Sequence, residues 1–458
     1  MLRGGFWAVG GRVIAALSGL AVNILLTRAL PPEQVGAYFL AVSVVSLAVA
    51  FAVLGMDRAV VRLVAEGMAL SREAGVRHTI ARILRLTGVC TALTAALYLL
   101  MRRPLLIGVF GSSLLMSSSV MLAVWICTAS FQYILSEVFR GFNDIRLATV
   151  FGGVGGRGRG LLWTVMLPAG IACLWVFGIA SLAAVLTLAT LISACAVGAA
   201  VMVLVSKMRR GRSSCDAEDG EGPDGIGTIE ILRISLPLFV VGIVGAIRLH
   251  AGIWLLGAYR SEGEVALYGA AVRLVMVIAL GLQIVRAIVP AVIAGMHAQG
   301  RTRQLEEVIR SVTTAASMPA FIVAALFVAL GKPLLGALYG EYYEQAALPL
   351  AILSIGVAAS VWAGPCALAL MMTGNQKTAM AINVGSTVAL LAAGLWAAQQ
   401  YGMHGVAVVY AAELILRTGL TFLFARKRTG IWTHLTLSPE LVRRTLREIR
   451  PMGTRSEG

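Results

Sequence analysis

From Gly160 to Ser206 the chain carries no charged residue. About 20 helical residues cross the ~30 Å hydrocarbon core of a bilayer. This run is therefore long enough for two crossings and must turn between them, near Trp175 to Gly178. Further uncharged runs lie at Gln34 to Met56, Pro104 to Ser136, Ser311 to Gly331, Gln345 to Gln376 and Thr378 to Ala412. In lipid a backbone satisfies its own polar groups only as a helix or a closed barrel, and runs of this length suit helices. Composition agrees. Of 458 residues, 59% are apolar and 13% charged, against roughly 25% charged in a soluble domain. A cytosolic enzyme, a secreted disulfide scaffold and a disordered chain are excluded. The fold class is all-α, polytopic and membrane-embedded.

Twelve spans are expected, near 6–27, 35–55, 81–101, 113–136, 147–171, 179–205, 233–257, 265–290, 311–330, 346–371, 378–398 and 404–425. The alternate loops differ in charge. One set holds Arg3, Arg58, Arg62, Arg72, Arg77, Arg82, Arg140, Arg146, Lys207, Arg209, Arg210, Arg212, Arg301, Arg303, Arg310, Lys377 and the eight basic residues after Ala425. The other holds only Arg28, Arg102, Arg103, Arg260 and Lys332. The positive-inside rule places both termini in the cytoplasm, which an even span count requires. Met1 to Leu26 lacks a cleavage signature and reads as a retained first helix. Residues 206–232 turn from basic to acidic and glycine-rich and read as a flexible linker. The expected organisation is a six-helix lobe at 1–206, a linker at 207–232, a second six-helix lobe at 233–426 and a basic tail at 427–458. Two recurrences suggest duplication. Leu25-Leu26 with Val35, Tyr38, Ala41 and Val42 returns as Leu255-Leu256 with Val265, Tyr268, Ala271 and Val272. The turn Gly141-Phe142-Asn143-Asp144 returns as Gly374-Asn375-Gln376-Lys377. Six helices bring the chain back to its starting side, so the repeats are parallel, related by a pseudo-two-fold axis along the membrane normal.

Charges inside spans are the informative residues. They are Arg12, Arg157, Arg159, Arg248, Arg273 and Arg286, with His250 and Glu413. A central arginine facing lipid costs about 2.5–3.5 kcal/mol on insertion scales, so these side chains are expected to face a wet cavity or a partner. One well-embedded acid cannot neutralise six guanidiniums. The surplus points to a positive cavity that holds an anion such as a pyrophosphate. Structural readings stand beside these: Arg12 and Arg286 can snorkel, the Gly152–Gly160 run can serve close helix packing, His250 can be a buried core residue, and Glu413 can pair with Arg417 one turn on. As a functional site Glu413, with His250, would carry coupling to a proton or cation. No nucleophile, metal-binding or nucleotide-binding motif is present, and no cysteine pair has metal-ligand or redox spacing. The expectation is a non-enzyme without cofactor or metal. The net charge of +16 is spread between apolar runs, which fits membrane lipids and an anionic cargo and not nucleic acid.

Leu26-Thr27-Arg28-Ala29-Leu30-Pro31-Pro32-Glu33-Gln34-Val35-Gly36-Ala37-Tyr38 resembles the link between the first two helices of Wzx-type flippases for lipid-linked oligosaccharides. These belong to the multidrug/oligosaccharidyl-lipid/polysaccharide exporter superfamily. Pro31 stands where that family has glycine, and Val35 where it has an aromatic residue. Leu54-Gly55-Met56-Asp57 with Val61 to Glu66, Leu236-Pro237-Leu238, and Tyr268, Ala271, Arg273 and Pro290 extend the resemblance over nearly the whole chain. It implies a two-lobed bundle that moves undecaprenyl-pyrophosphate-linked sugars from the inner to the outer leaflet by alternating access, with ion coupling in several members. Polysaccharide polymerase and glycosyltransferases would be its partners, and the bacterial inner membrane its location. Against the lipid II flippase of the same superfamily, Arg12 matches an earlier arginine of the first helix and Arg273 a cavity arginine of the eighth, while Ser18-Gly19 stand where that first helix has an Arg-Asp pair, which argues against a lipid II role. A cation-coupled drug exporter and a membrane polymerase or ligase are the alternatives. The short outer loops argue against the enzyme.

In the tail, Ser438-Pro439-Glu440 reads as a helix start. Leu441, Val442, Thr445, Leu446 and Ile449 then share one face and Arg443, Arg444, Arg447 and Arg450 the other. An amphipathic helix on the inner leaflet is expected there.

Overall fold

The computed structural model describes residues 2–70, 73–152, 160–212, 227–283, 285, 296, 299 and 302–435. Every regular element among them is helical. By proximity of Cα atoms the chain divides into two units, Met1–Ala266 and Leu267–Gly458.

The first unit opens with α1 (Leu2–Ala29), α2 (Pro32–Val53) and α3 (Met56–Ala69). Pro31 is extended, at φ −59° and ψ 151°, as a residue before proline must be. Pro32 takes the first helical position, where a missing N–H costs nothing. α2 stops at Leu54-Gly55, both left-handed, with φ 49° and 75°. A β-carbon on Gly55 would lie 2.3 Å from the Ser235 carbonyl oxygen and 2.6 Å from the Phe239 nitrogen. The position needs glycine for its φ and again for the close approach. Sequence patterning assigns no element to 56–69, yet α3 is helical. It buries Met56, Ala59, Val60, Leu63 and Val64 and exposes Arg58, Arg62 and Glu66. Its apolar residues have helical spacing, but the interleaved charges break any uncharged run.

α4 (Glu73–Arg103) continues through a π-helical turn, Pro104–Val109. Ser112 caps the short α5 (Ser113–Ser117), its Oγ accepting the Leu115 N–H at 3.1 Å. Then come α6 (Ser119–Gly141), α7 (Ile145–Gly152), α8 (Leu161–Val176), α9 (Leu182–Arg212) and α10 (Thr228–Tyr259). Buried Gln132 ties three of them together. Its Nε2 donates to the Phe151 carbonyl at 3.1 Å, and its Oε1 accepts from Ser193 Oγ at 2.6 Å. α8 and α9 are separated by the expected turn, with Gly178 at φ 70°. The span expected at 147–171 is described as α7 and α8, on either side of residues 153–159. α9 and α10 also enter the 207–232 segment from both sides, so Lys207 to Arg212 are helical and not linker. Lys and Arg are good helix formers and are favoured at a helix C-terminus. α10 packs on α2 and α3.

α11 (Glu262–Ile278) straddles the division. The second unit continues with α12 (Thr302–Tyr339), which bends at non-helical Leu330, then a 3₁₀ turn at Glu341–Ala346, α13 (Ala347–Ala363), α14 (Cys366–Met372) and α15 (Gln376–Thr429). The span expected at 346–371 breaks at Gly364, φ 72°, followed by Pro365. α15 has 54 residues, or about 80 Å if straight. It breaks at Gly402, with φ 56° and ψ −139°. A β-carbon on Gly405 would lie 2.7 Å from the Ala397 carbonyl oxygen. In a straight helix those residues stand about 12 Å apart, so the chain reverses here and crosses twice. After Gly430, at φ 72°, residues 431–435 fold back as a strap onto the end of α13. Leu435 N–H donates to the Trp362 carbonyl at 3.0 Å, and Thr433 Oγ1 to the Ala363 carbonyl at 2.8 Å.

Eight helices are individually long and apolar enough to cross a membrane. The reversal at Gly402 divides one of them into two crossings, and Ile14–Ala29 and Leu161–Val176 are shorter apolar helices. The span expected at 265–290 is described only in part, as α11.

Both recurrences have matching geometry. Leu30 N–H bonds the Leu26 carbonyl and Val35 N–H that of Pro31. Arg260 N–H bonds the Leu256 carbonyl and Val265 N–H that of Ser261. Asn143 and Gly374 are both left-handed, at φ 59° and 82°. The N–H that follows each reaches back five residues, from Asp144 to Phe139 and from Asn375 to Leu370. That is the Schellman helix stop in both places. The tail helix expected from Ser438 lies outside the described residues.

Candidate functional site

Arg12 lies on α1. Arg157, Arg159 and Arg286 lie outside the described residues. Arg248 and His250 share α10, where Arg248 is half-buried and His250 is buried. The His250 ring is 5.9 Å from that of Trp254, whose Nε1 donates to Ser43 Oγ on α2 at 2.8 Å. α10 buries Ile231 and Ser235 near its start and 250–257 near its end, and nothing in between. Arg248 sits at the edge of that uncovered middle. Arg273 is half-buried on α11, and its charge is within electrostatic reach of Tyr339.

Glu413 is 6% exposed. Its Oε1 accepts from Arg417 Nε at 2.9 Å. Its Oε2 is buried without a hydrogen-bond partner among the described residues. A carboxylate oxygen left without a partner in a low-dielectric interior is costly.

A second polar cluster lies where α3, α6 and α9 meet. Glu137 is 4% exposed, and both its oxygens accept from Arg140 Nη1, at 2.9 and 2.8 Å. Tyr133 donates to Asp57 at 2.8 Å. Lys207 Nζ is 3.0 Å from Asp144 Oδ2 and lies over the Phe142 ring at 5.2 Å. Glu137 is not among the residues singled out from the sequence. The Glu137–Arg140 spacing of three was the available signal.

A third set sits at the opposite end of α2. A β-carbon on Gly36 would lie 1.8 Å from the Glu262 carbonyl oxygen. Ser112 Oγ donates to the Glu262 carboxylate. Gln34 Oε1 accepts the first N–H of α9, from Leu182, at 2.9 Å. Burial pushes the Glu262 carboxyl above its ordinary value; the Ser112 bond opposes this, and nearby Glu33 adds to it. The Pro32–Tyr38 motif therefore places a helix start, a cap and a glycine contact. No three metal-ligating side chains converge among the described residues.

Apolar helices long enough to cross a bilayer, with ionisable groups folded into them, define a multi-pass membrane protein. The chain belongs to the polysaccharide biosynthesis protein family, whose model matches residues 1–297. The fold is shared with solved structures. An inward-facing multidrug resistance MATE transporter of the MOP superfamily is 16% identical, with 91% of this chain and 94% of that chain covered at a TM-score of 0.70. A MOP-superfamily transporter from Pyrococcus furiosus is 14% identical, covering 94% and 95% at 0.60. The lipid II flippase MurJ, in an inward closed conformation, is 12% identical, covering 99% and 94% at 0.60. No curated protein matches the chain in sequence.

Proposed function

We propose that the protein carries a polyprenyl-pyrophosphate-linked, anionic oligosaccharide across the bacterial inner membrane by alternating access, for surface or exopolysaccharide biosynthesis. The observation that carries this reading is the pair of half-buried arginines, Arg248 and Arg273, in apolar helices of a polysaccharide-biosynthesis family member. A guanidinium in a partly desolvated site binds phosphate oxygens in its fixed fork geometry. Arg12, Arg157, Arg159 and Arg286 are the further candidates for contact with the anionic cargo. Glu413, with His250 as second candidate, takes the coupling proton or cation. The cargo crosses unchanged, so no catalytic group is called for. The basic ends of the spans face the cytoplasm with both termini. Each half of the chain acts as one lobe, and the polymerase and glycosyltransferases act before and after transport.

Deleting the gene tests the reading. Lipid-linked intermediate is expected to accumulate in the cytoplasmic leaflet, with loss of a surface polysaccharide. Unchanged polysaccharide in a strain without a redundant transporter overturns it. Arg273→Ala is expected to cut transport at least tenfold, since stripping one charge from a desolvated pair costs about 2–5 kcal/mol. Membrane insertion should be normal. The fold shared with multidrug transporters favours a second reading, small-molecule export. It predicts loss of efflux in the deletion strain and no trapped intermediate.

A further inference from the structure

Three buried polar atoms in the second unit have no hydrogen-bond partner among the described residues and lie in one neighbourhood: Arg310 Nε, Thr313 Oγ1 and His434 Nδ1. Arg310 and Thr313 are three residues apart on α12 and share a face. His434 comes from the 431–435 strap. A β-carbon on Gly364 would lie 2.4 Å from the Thr433 carbonyl oxygen and 2.7 Å from Thr313 Oγ1, so strap and α12 meet across this glycine. His434 is within electrostatic reach of both Arg310 and Glu306. Its ring packs on Trp362, Phe422 and Trp432 at 5.5, 5.6 and 5.2 Å. Thr313 is fully buried. Arg310 Nη1 is 3.5 Å from Glu306 Oε1, which leaves the Nε–H for another acceptor.

Buried polar groups in native proteins are almost always paired, so three bare atoms together call for an explanation. Their chemistry narrows it. Arginine Nε–H only donates, the threonine hydroxyl can donate, and imidazole Nδ1 donates when it carries the proton. A water accepting from such a set still has two protons of its own to place. An oxyanion accepts every bond and donates none. The surroundings are basic as well: Arg426 lies over the Trp432 ring at 4.5 Å, and Lys427 and Arg428 follow it.

We propose that Arg310, Thr313 and His434 form an oxyanion site for a phosphate group, closed over by the 431–435 strap. None of the three residues is among the arginines of the proposed transport path. The phosphate is that of an anionic phospholipid headgroup or of free inorganic phosphate, which share this chemistry. Burial, and then the charge of Arg310, hold the imidazole below its ordinary value, with Glu306 acting the other way. A bound anion reverses that balance, so binding strengthens with acidification.

The purified full-length protein tests this through tryptophan fluorescence and thermal unfolding. Two titrations are compared: inorganic phosphate against chloride at equal ionic strength in detergent, and phosphatidylglycerol against phosphatidylcholine nanodiscs. A saturable response to phosphate identifies the free ion as the source. A response confined to phosphatidylglycerol identifies the headgroup. Either bears out the site if Thr313→Val, which removes one donor at nearly constant shape, weakens the response about tenfold. His434→Phe, which keeps the aromatic packing, should weaken it similarly and serves if the threonine variant fails to fold. No response in either titration, or one undiminished in the variants, overturns the proposal, and ordered water then accounts for the three atoms.

Discussion

Each unit contains a buried glutamate paired with an arginine on its own helix, and the two pairs differ in one atom. In the first, both oxygens of Glu137 are bonded by Arg140. In the second, Arg417 bonds one oxygen of Glu413 and leaves the other bare. Exposure differs too, since the Arg140 side chain is 35% exposed and that of Arg417 14%. The first pair reaches the edge of the unit, where Tyr133 and Asp57 bond beside it. The second is sealed. The two carboxylates are equally buried, so what distinguishes them is that one is bonded at both oxygens and the other at one. The unbonded oxygen is the feature on which the coupling role proposed for Glu413 rests.

Removing the arginines should separate the two most strongly. Arg417→Ala strands a buried charge and is expected to lower stability by about 3–5 kcal/mol, read as thermal unfolding in detergent. Arg140→Ala leaves water access and should cost about 1–3 kcal/mol. Equal losses would erase the distinction. A smaller effect on folding and a larger one on transport is expected from removing the acids' charge. Glu413→Gln should leave unfolding nearly unchanged while gradient-driven transport falls at least tenfold. Glu137→Gln should keep gradient dependence. Full gradient-dependent transport in Glu413→Gln would remove it from the coupling role.

Glu262 offers the smallest and sharpest comparison, because it lies at a turn outside the spans. Its carboxyl is raised when folded, so the folded state binds the proton more tightly than the unfolded one. The α2–α11 contact should therefore strengthen as pH falls through the raised value towards the ordinary carboxylate value near 4.5, and weaken as pH rises. Ser112→Ala removes the bond that opposes the shift. It should move the transition to higher pH and cost about 1 kcal/mol. A pH-independent contact, followed by cysteine cross-linking between the two helix starts, would show that Glu262 does not titrate there.

The crossings were legible because lipid leaves a chain so few options: uncharged runs of sufficient length can only be helices. The turn at Gly178 followed from a run too long for one helix, and the two Schellman stops from recurring residues. The Glu413–Arg417 pair was legible from its spacing of four. α3 was not, because four charges within it broke the run on which span assignment depends, although its apolar spacing was helical. The 207–212 extension of α9 was hidden in the same way by a basic cluster. The Gly36–Glu262 approach and the strap over Gly364 were not accessible at all. They join segments far apart in sequence, and a missing side chain gives no sign of the backbone that will fill its place.

The reversal at Gly402 bears on how the topology of this chain is to be measured. Only residues 399–403 link the crossings expected at 378–398 and 404–425, a stretch too short for an ordinary protease site or an inserted epitope. A map built from accessible loops would miss it and return an odd number of crossings, with the two termini assigned to opposite faces. Reporter fusions at each terminus, compared in the same strain, avoid that error, because they count parity without needing to see the turn.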